Sequence, residues 1–173
     1  FTDRLDGSLM LESKQFLGGD LKYESDTPLD ESSFPIADYS YASIYEFGSV
    51  LGSSEKFQLA SVKSVAPPYP LIGQFEILKK YDEKVLETDP PKAGKVWLDT
   101  RLANLLEVTI NDIINIGEKD FSISGIILAE SDRGAGSFAF APKAIMNSSD
   151  LEEANVIQPG SRVRYSYVFV GSQ

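Results

Sequence analysis

The pattern of apolar and polar positions along this chain predicts an α+β fold with more strand than helix. Between Thr2 and Leu17, the residues Leu5, Leu9 and Phe16 fall close to one helical face, with Met10 and Leu17 beside it. Arg4, Asp6, Glu12 and Lys14 occupy much of the remainder, as on an amphipathic surface helix. Gly18-Gly19 ends that helix, and Asp20 to Glu24 alternates as a short strand does. Thr27 to Ser33 is a polar loop containing Pro28. Ile44 to Leu51 and Phe57 to Val65 both have strand character, and the turn residues Gly52-Ser53-Ser54-Glu55 between them predict a hairpin. Pro67-Pro68-Tyr69-Pro70 forces an extended crossing, because each proline fixes φ and restricts its predecessor.

Gln74 to Leu78 reads as a short strand, and the charged, proline-containing run from Tyr81 to Lys92 as an exposed loop. Lys95 to Leu98 is a strand that delivers Asp99 as the N-cap of a helix. Leu98, Leu102, Leu105 and Leu106 then recur on one inward face. Asp112 to Ile116 and Asp120 to Leu128 form a second hairpin around Gly117-Glu118-Lys119. Ser131 to Ser137 is a glycine-rich turn, Phe138 to Ala141 a short strand, and Pro142 suits the first turn of a helix reaching about Met146. Ser149 to Ala154 is a further helical piece. Arg162 to Val170 closes the chain as a strand with Val163, Tyr165, Tyr167 and Phe169 on one side. There is no internal repeat and no low-complexity tract.

Composition narrows the function. A chain of 173 residues, 42% hydrophobic and 24% charged, has the material for one domain or two small subdomains. Its 16 basic and 26 acidic side chains leave a net charge of −10, which repels phosphate backbones. No run of three basic residues offsets that field, so nucleic acid is excluded as a partner. The absence of cysteine removes disulfides, thiolate metal sites and thiol nucleophiles. The absence of histidine removes the commonest general base and the commonest metal ligand, and with them any Ser–His–Asp triad. No stretch approaches the roughly 18 to 20 apolar residues of a membrane helix, and Asp3, Arg4 and Asp6 interrupt any signal-peptide pattern. Phe1 is not an initiator methionine, so the chain reads as a fragment whose flanking segments have been removed.

The remaining candidates are weak as chemistry. Gly134-Ala135-Gly136-Ser137 lacks the helix and the Lys-Ser/Thr pair of a phosphate loop, so this chain does not itself hydrolyse ATP. Asp82, Glu83, Glu87 and Asp89, and again Asp150, Glu152 and Glu153, cluster without the spacing of a calcium loop, and a solvated surface explains them. Asn147-Ser148-Ser149 matches a glycosylation sequon by chance. Tyr69, Trp97, Tyr165, Tyr167 and Phe169 are available for a ligand groove, although strand aromatics usually build the core. No residue takes a catalytic role, and no cofactor or metal site is expected.

Several phrases in order resemble one family. Thr2 to Leu5 with Phe16 to Leu21 looks like the segment leaving the first transmembrane helix in FtsX-like ABC transporter permeases. Gln58 to Val65 with Tyr69 to Gly73 is similar to the family's "vKAV…YPLrG" element, and Gly94 to Leu98 with Arg101-Leu102 to its "GevwlD.rL" element. Asn111-Asp112-Ile113, with Ile116-Gly117 after it, stands where "GD" is usual, and asparagine shares glycine's access to the left-handed conformation. Phe140 to Lys143 with Met146-Asn147, and Gln158 to Val163, complete the series. Together they resemble the YbbP type of these permeases, whose first periplasmic region is a MacB-like core domain.

The resemblance implies a porter-like subdomain built from both chain ends, residues 1–65 and 150–173, with a smaller α/β subdomain inserted at 66–149. It implies a place on the periplasmic face of the bacterial inner membrane, a separate cytoplasmic ABC ATPase, and a mechanical role in contact with a substrate or partner. An envelope thioesterase or lysophospholipase and lipid-like substrates are the associates it implies. The contact residues expected from the loops are Tyr69, Pro70 and Leu71 in the proline crossing and Arg133, Gly134 and Gly136 in the glycine-rich turn. A purely structural connection accounts for each loop equally well. A stand-alone module binding an apolar ligand through Tyr69 and Trp97, and a carboxylate-dependent hydrolase, are the competing readings.

Overall fold

In the computed structural model the described residues are 21–28, 39–65, 75–79, 83–87, 89–130, 141–157 and 162–171. The helix expected over 2–17, the proline crossing, the glycine-rich turn and most of the strand expected at 138–141 lie outside them. The elements run β1 (Leu21–Ser25), β2 (Tyr39–Gly52), β3 (Phe57–Val65), β4 (Phe75–Lys79), β5 (Glu83–Glu87) and β6 (Lys95–Asp99). They continue with α1 (Thr100–Leu106), β7 (Ile113–Ile116), β8 (Lys119–Glu130), β9 (Lys143–Asn147), a 3-10 turn (Ser148–Asp150), α2 (Leu151–Ala154) and β10 (Val163–Gly171).

The ten strands of the described residues belong to one sheet, ordered β1-β10-β2-β3-β9-β6-β8-β4-β5, and β7 bridges β8 to β2. That bridge closes a six-stranded barrel, β2-β3-β9-β6-β8-β7, with β10 and β1 extending one side and β4 and β5 the other. Both expected hairpins form: Gly52 pairs with Phe57 across the first turn and Ile116 with Lys119 across the second. The β3–β9 and β6–β8 ladders are parallel, the rest antiparallel. β2 and β3 come from the segment expected to join both chain ends, and β6 to β9 from the segment expected as an insertion. The β3–β9 and β2–β7 ladders join these two parts of the barrel.

Strand alternation sorts the apolar residues onto two faces. Phe47, Leu51, Ala60, Val62, Val96, Leu98, Ile114, Ile116, Phe121, Ile123, Ala144 and Met146 share one buried cluster, and α1 adds Leu102, Ala103 and Leu106 to it. Each fully buried valine, leucine, isoleucine, phenylalanine or methionine among them stabilises the fold by about 1.5–3 kcal/mol relative to exposure. Tyr165, Tyr167 and Phe169 of β10 extend the same cluster, and Tyr45 meets Tyr165 edge-on at 5.2 Å. The opposite face carries a second cluster of Ala42, Ile44, Val65, Phe75, Ile77, Trp97, Ile127 and Ile145. The register slips between Val96 and Trp97, which seats Trp97 opposite Gly125. A Cβ on Gly125 would lie 2.3 Å from Ile77 Cγ2 and 3.1 Å from Trp97 Cδ1, so the missing side chain leaves room for the indole.

Asp99 caps α1 as expected, its Oδ1 accepting the Leu102 N–H at 2.7 Å. Asn111 has φ 77°, the left-handed backbone that asparagine tolerates. Three expectations are corrected. The segment after Pro142 is a strand, not a helix: β9 pairs with β3 on one side and β6 on the other, which buries Ala144, Ile145 and Met146 together. A strand covered on both faces shows no alternation, so its apolar run looks helical in isolation. The run from Tyr81 to Lys92 contains β5, an edge strand whose Glu83, Lys84 and Glu87 keep the free edge charged. Leu105 is exposed, and Ala103 takes the buried place beside Leu102 and Leu106. With two short α-helices among the described residues, the α+β chain is mostly sheet.

Candidate interaction surface at the hairpin tip

The β2–β3 hairpin leaves the interior at its tip. Leu51 and Ala60 point inward, so Val50, Phe57 and Leu59 point out, with Val50 opposite Leu59 and Phe57 opposite Gly52. Phe57 is 77% exposed, Leu59 61% and Val50 54%, forming one apolar triangle on the barrel's outer wall. A Cβ on Gly52 would sit 3.0 Å from the Phe57 ring, so the ring lies over the glycine and shields its backbone. The turn is tightened from within. Ser53 N–H donates to Lys56 O at 2.8 Å, and the Lys56 N–H donates to Ser53 Oγ at 3.3 Å.

Beside the tip lies a cleft of about 350 Å³, lined by the turn Ser53–Lys56, the end of α1 at Leu106 to Val108, and Asp112 and Ile113. Ser53 Oγ lies 3.3 Å from the Leu106 carbonyl, a donor to one of the acceptors that the helix end leaves open. Lys56 Nζ lies 3.1 Å from Glu107 Oε2 across the mouth, an exposed ion pair of modest worth. Asp112 Oδ2 accepts the Thr109 N–H at 2.8 Å. Its lining is mostly polar, with Leu106, Val108 and Ile113 as the apolar members.

The loop residues named from sequence, Tyr69, Pro70, Leu71, Arg133, Gly134 and Gly136, lie outside the described residues. Among the described members of the aromatic set, Trp97 lies apart from the three on β10. Trp97 is buried against Phe75, ring centroids 5.3 Å apart, in one cluster, while Tyr165, Tyr167 and Phe169 are buried in the other. The acidic clusters divide by environment. Asp150 is buried and its Oδ2 accepts the Gly94 N–H at 2.8 Å, tying the turn after β9 to the start of β6. Glu153 meets Lys119 Nζ at 2.7 Å, and that hydrogen bond raises the lysine's pKa against the opposing effect of desolvation. Glu87 pairs with Lys79 at 2.7 Å. Among the described residues no three carboxylates converge on a point that could hold a metal ion. Asn147 is engaged at both ends, donating to Pro91 O and accepting from Ser149 N–H, each at 2.9 Å, so the sequon asparagine is a structural cap. Sequence reading passed over the hairpin tip, whose one signal was two large apolar residues, Phe57 and Leu59, at alternate positions next to a turn.

No family model matches the chain. The ABC transporter permease YbbP of Escherichia coli (strain K12) is 30% identical over 179 residues, covering 99% of this chain and 21% of its own length. The chain thus spans about a fifth of that relative. Among solved structures, the extracellular domain of the ABC-type transporter YknZ from Gram-positive bacteria matches with a TM-score of 0.55 at 7% identity, over 87% of this chain and 82% of its own. The periplasmic region of MacB from Actinobacillus actinomycetemcomitans matches with a TM-score of 0.52 at 15% identity, over 80% of this chain and 61% of its own. At such identities the likeness speaks for the fold alone. Described residues contain no helix long and apolar enough to cross a membrane. In sequence along nearly its whole length, this chain is similar to one segment of a YbbP-type ABC transporter permease, and in fold to the MacB-like extracytoplasmic domains.

Proposed function

We propose that the chain is a non-catalytic extracytoplasmic domain of an ABC transporter permease, set on the periplasmic face of the inner membrane. There it passes the movement of membrane helices to a bound substrate or partner, and ATP is hydrolysed by a separate cytoplasmic subunit. The observation that carries this reading is the match of 99% of the chain, at 30% identity, to about a fifth of such a permease. A two-part organisation, 1–65 with 150–173 around 66–149, fits that role, since relative motion of two parts is a mechanical output. The cargo in this reading is lipid-like. Its support is the tip, where Phe57, Leu59 and Val50 keep in water apolar area that an apolar molecule would cover. Loops 69–71 and 133–136 are the second place of contact, and an envelope thioesterase or lysophospholipase is the associated enzyme.

The test is to isolate the full-length permease from its native membrane and identify bound proteins and lipids by mass spectrometry. Recovery of an ABC-type ATPase is expected, and lipid recovery should fall in the double variant Phe57→Ser, Leu59→Ser. Failure to recover an ATPase, under conditions that keep a control transporter intact, overturns the transporter reading. Lipid recovery unchanged in the variant removes the tip from it.

A further inference from the structure

The barrel has one ladder weaker than the others. β2 and β7 meet only through Leu51↔Ile116 and Gly52↔Asn115. The next shortest ladder, β6–β9, holds Val96↔Met146 to Leu98↔Ala144 and is clamped beyond both ends. Asp99 Oδ2 accepts the Lys143 N–H at 2.9 Å at one end, and Asn147 Nδ2 donates to Pro91 O at 2.9 Å at the other. Among the described residues no side-chain hydrogen bond joins β2 to β7 beyond either end of their ladder. One of its four residues is a glycine, which packs nothing and costs more to order. It lies where β2 runs into the Ser53–Lys56 turn, and that turn is tied to α1 by the long Ser53–Leu106 hydrogen bond and the exposed Lys56–Glu107 pair. The cleft of about 350 Å³ lies between the same turn and α1, so solvent reaches the side of the turn next to the short ladder.

We propose that the β2–β7 seam is an opening joint built into the barrel: the hairpin tip, Val50 to Leu59, swings off β7 and α1 as a unit while the other five ladders hold. The motion bares Leu51 and Ile116, both fully buried in the closed ring, and changes the angle between β2–β3 and β7–β8. It is a property of this fold whether or not the chain serves a transporter.

Hydrogen exchange at increasing urea tests it on the chain itself. The segments 50–56 and 113–117 should exchange through one shared opening, about ten-fold or more faster than β3 and β9, with a urea slope above zero and below that of global unfolding. A cross-link then closes the joint. A Cβ on Gly52 would be 4.0 Å from Asn115 Cβ, within disulfide range, and the sequence has no other cysteine. The Phe57 ring beside that Cβ is exposed and free to shift. In the oxidised double variant Gly52→Cys, Asn115→Cys, exchange of both segments should slow at least about ten-fold, and reduction should restore it. Exchange of the seam at the rate and slope of β3 and β9 overturns the joint. So do graded rates with zero urea slope, which signify fraying, and an oxidised variant that still exchanges fast. Should the disulfide fail to form, the urea series on the unmodified chain decides alone.

Discussion

The side chain of Asp99 divides its two oxygens between elements that lie far apart in sequence: Oδ1 caps α1 at the Leu102 N–H, and Oδ2 accepts the Lys143 N–H at 2.9 Å where β9 begins. One carboxylate thereby starts a helix and fixes the register of β9 against β6. Asp99→Ala loses the cap and leaves a half-buried N–H without its acceptor. About 2–3 kcal/mol of destabilisation is expected in urea unfolding. Asp99→Asn keeps one acceptor oxygen and should cost less than half as much; equal losses for the two variants would mean that packing, not hydrogen bonding, sets the effect.

Gly125 and Trp97 form a second exclusive fit. Gly125→Ala places a methyl 2.3 Å from Ile77 Cγ2, and the sheet leaves it no free direction. Overpacking of this kind costs roughly 1–3 kcal/mol. Because Trp97 is the sole tryptophan, its fluorescence reports the displaced indole directly. An unaltered emission spectrum together with unaltered stability would contradict the described packing.

Lys119 gives a pH dependence with a definite sign. Its pKa is raised above the ordinary value of 10.5, chiefly by the hydrogen bond to Glu153. A lysine raised on folding contributes stability that is fully present below its unfolded pKa and lost as pH rises through the folded one. Melting temperatures of the wild type and Lys119→Gln should therefore differ by a constant amount up to about pH 9 and converge above roughly pH 10.5. Glu153→Gln should remove the same alkaline loss. The effect is small and weakens with salt, since Glu153 is exposed.

The tip residues should behave oppositely to core residues. Phe57→Ser and Leu59→Ser each remove a side chain that folding leaves in water, so unfolding free energies should change by no more than about 0.5 kcal/mol. Val62→Ala, three positions along β3 from Leu59, facing inward and fully buried, should cost about 1–3 kcal/mol in the same assay. A large loss at Phe57 would show that its cover over Gly52 holds the turn.

What the sequence by itself determined is the local part of this protein. Turn residues at 52–55 and 117–119 set two hairpins and Asp99 announced a helix, because each of these depends on neighbours a few positions away. The collinear phrases pointed to the YbbP-type permeases, and an ABC transporter permease of that name is 30% identical to this chain over 179 residues. Tertiary structure alone decided where those pieces close on one another. β9 is a strand because β3 and β6 both pair with it, and nothing within Ala144-Ile145-Met146 distinguishes that from a buried helix. Trp97 lies in the cluster opposite the one that holds Val96 and Leu98, and the register slip beside it seats it against Gly125. The ring itself is closed by Leu51 and Gly52 meeting Ile116 and Asn115, contacts between segments more than sixty positions apart that carry no signature in either. Local geometry is written in short-range sterics and hydrogen bonds; barrel closure is decided by which distant apolar faces can be buried together.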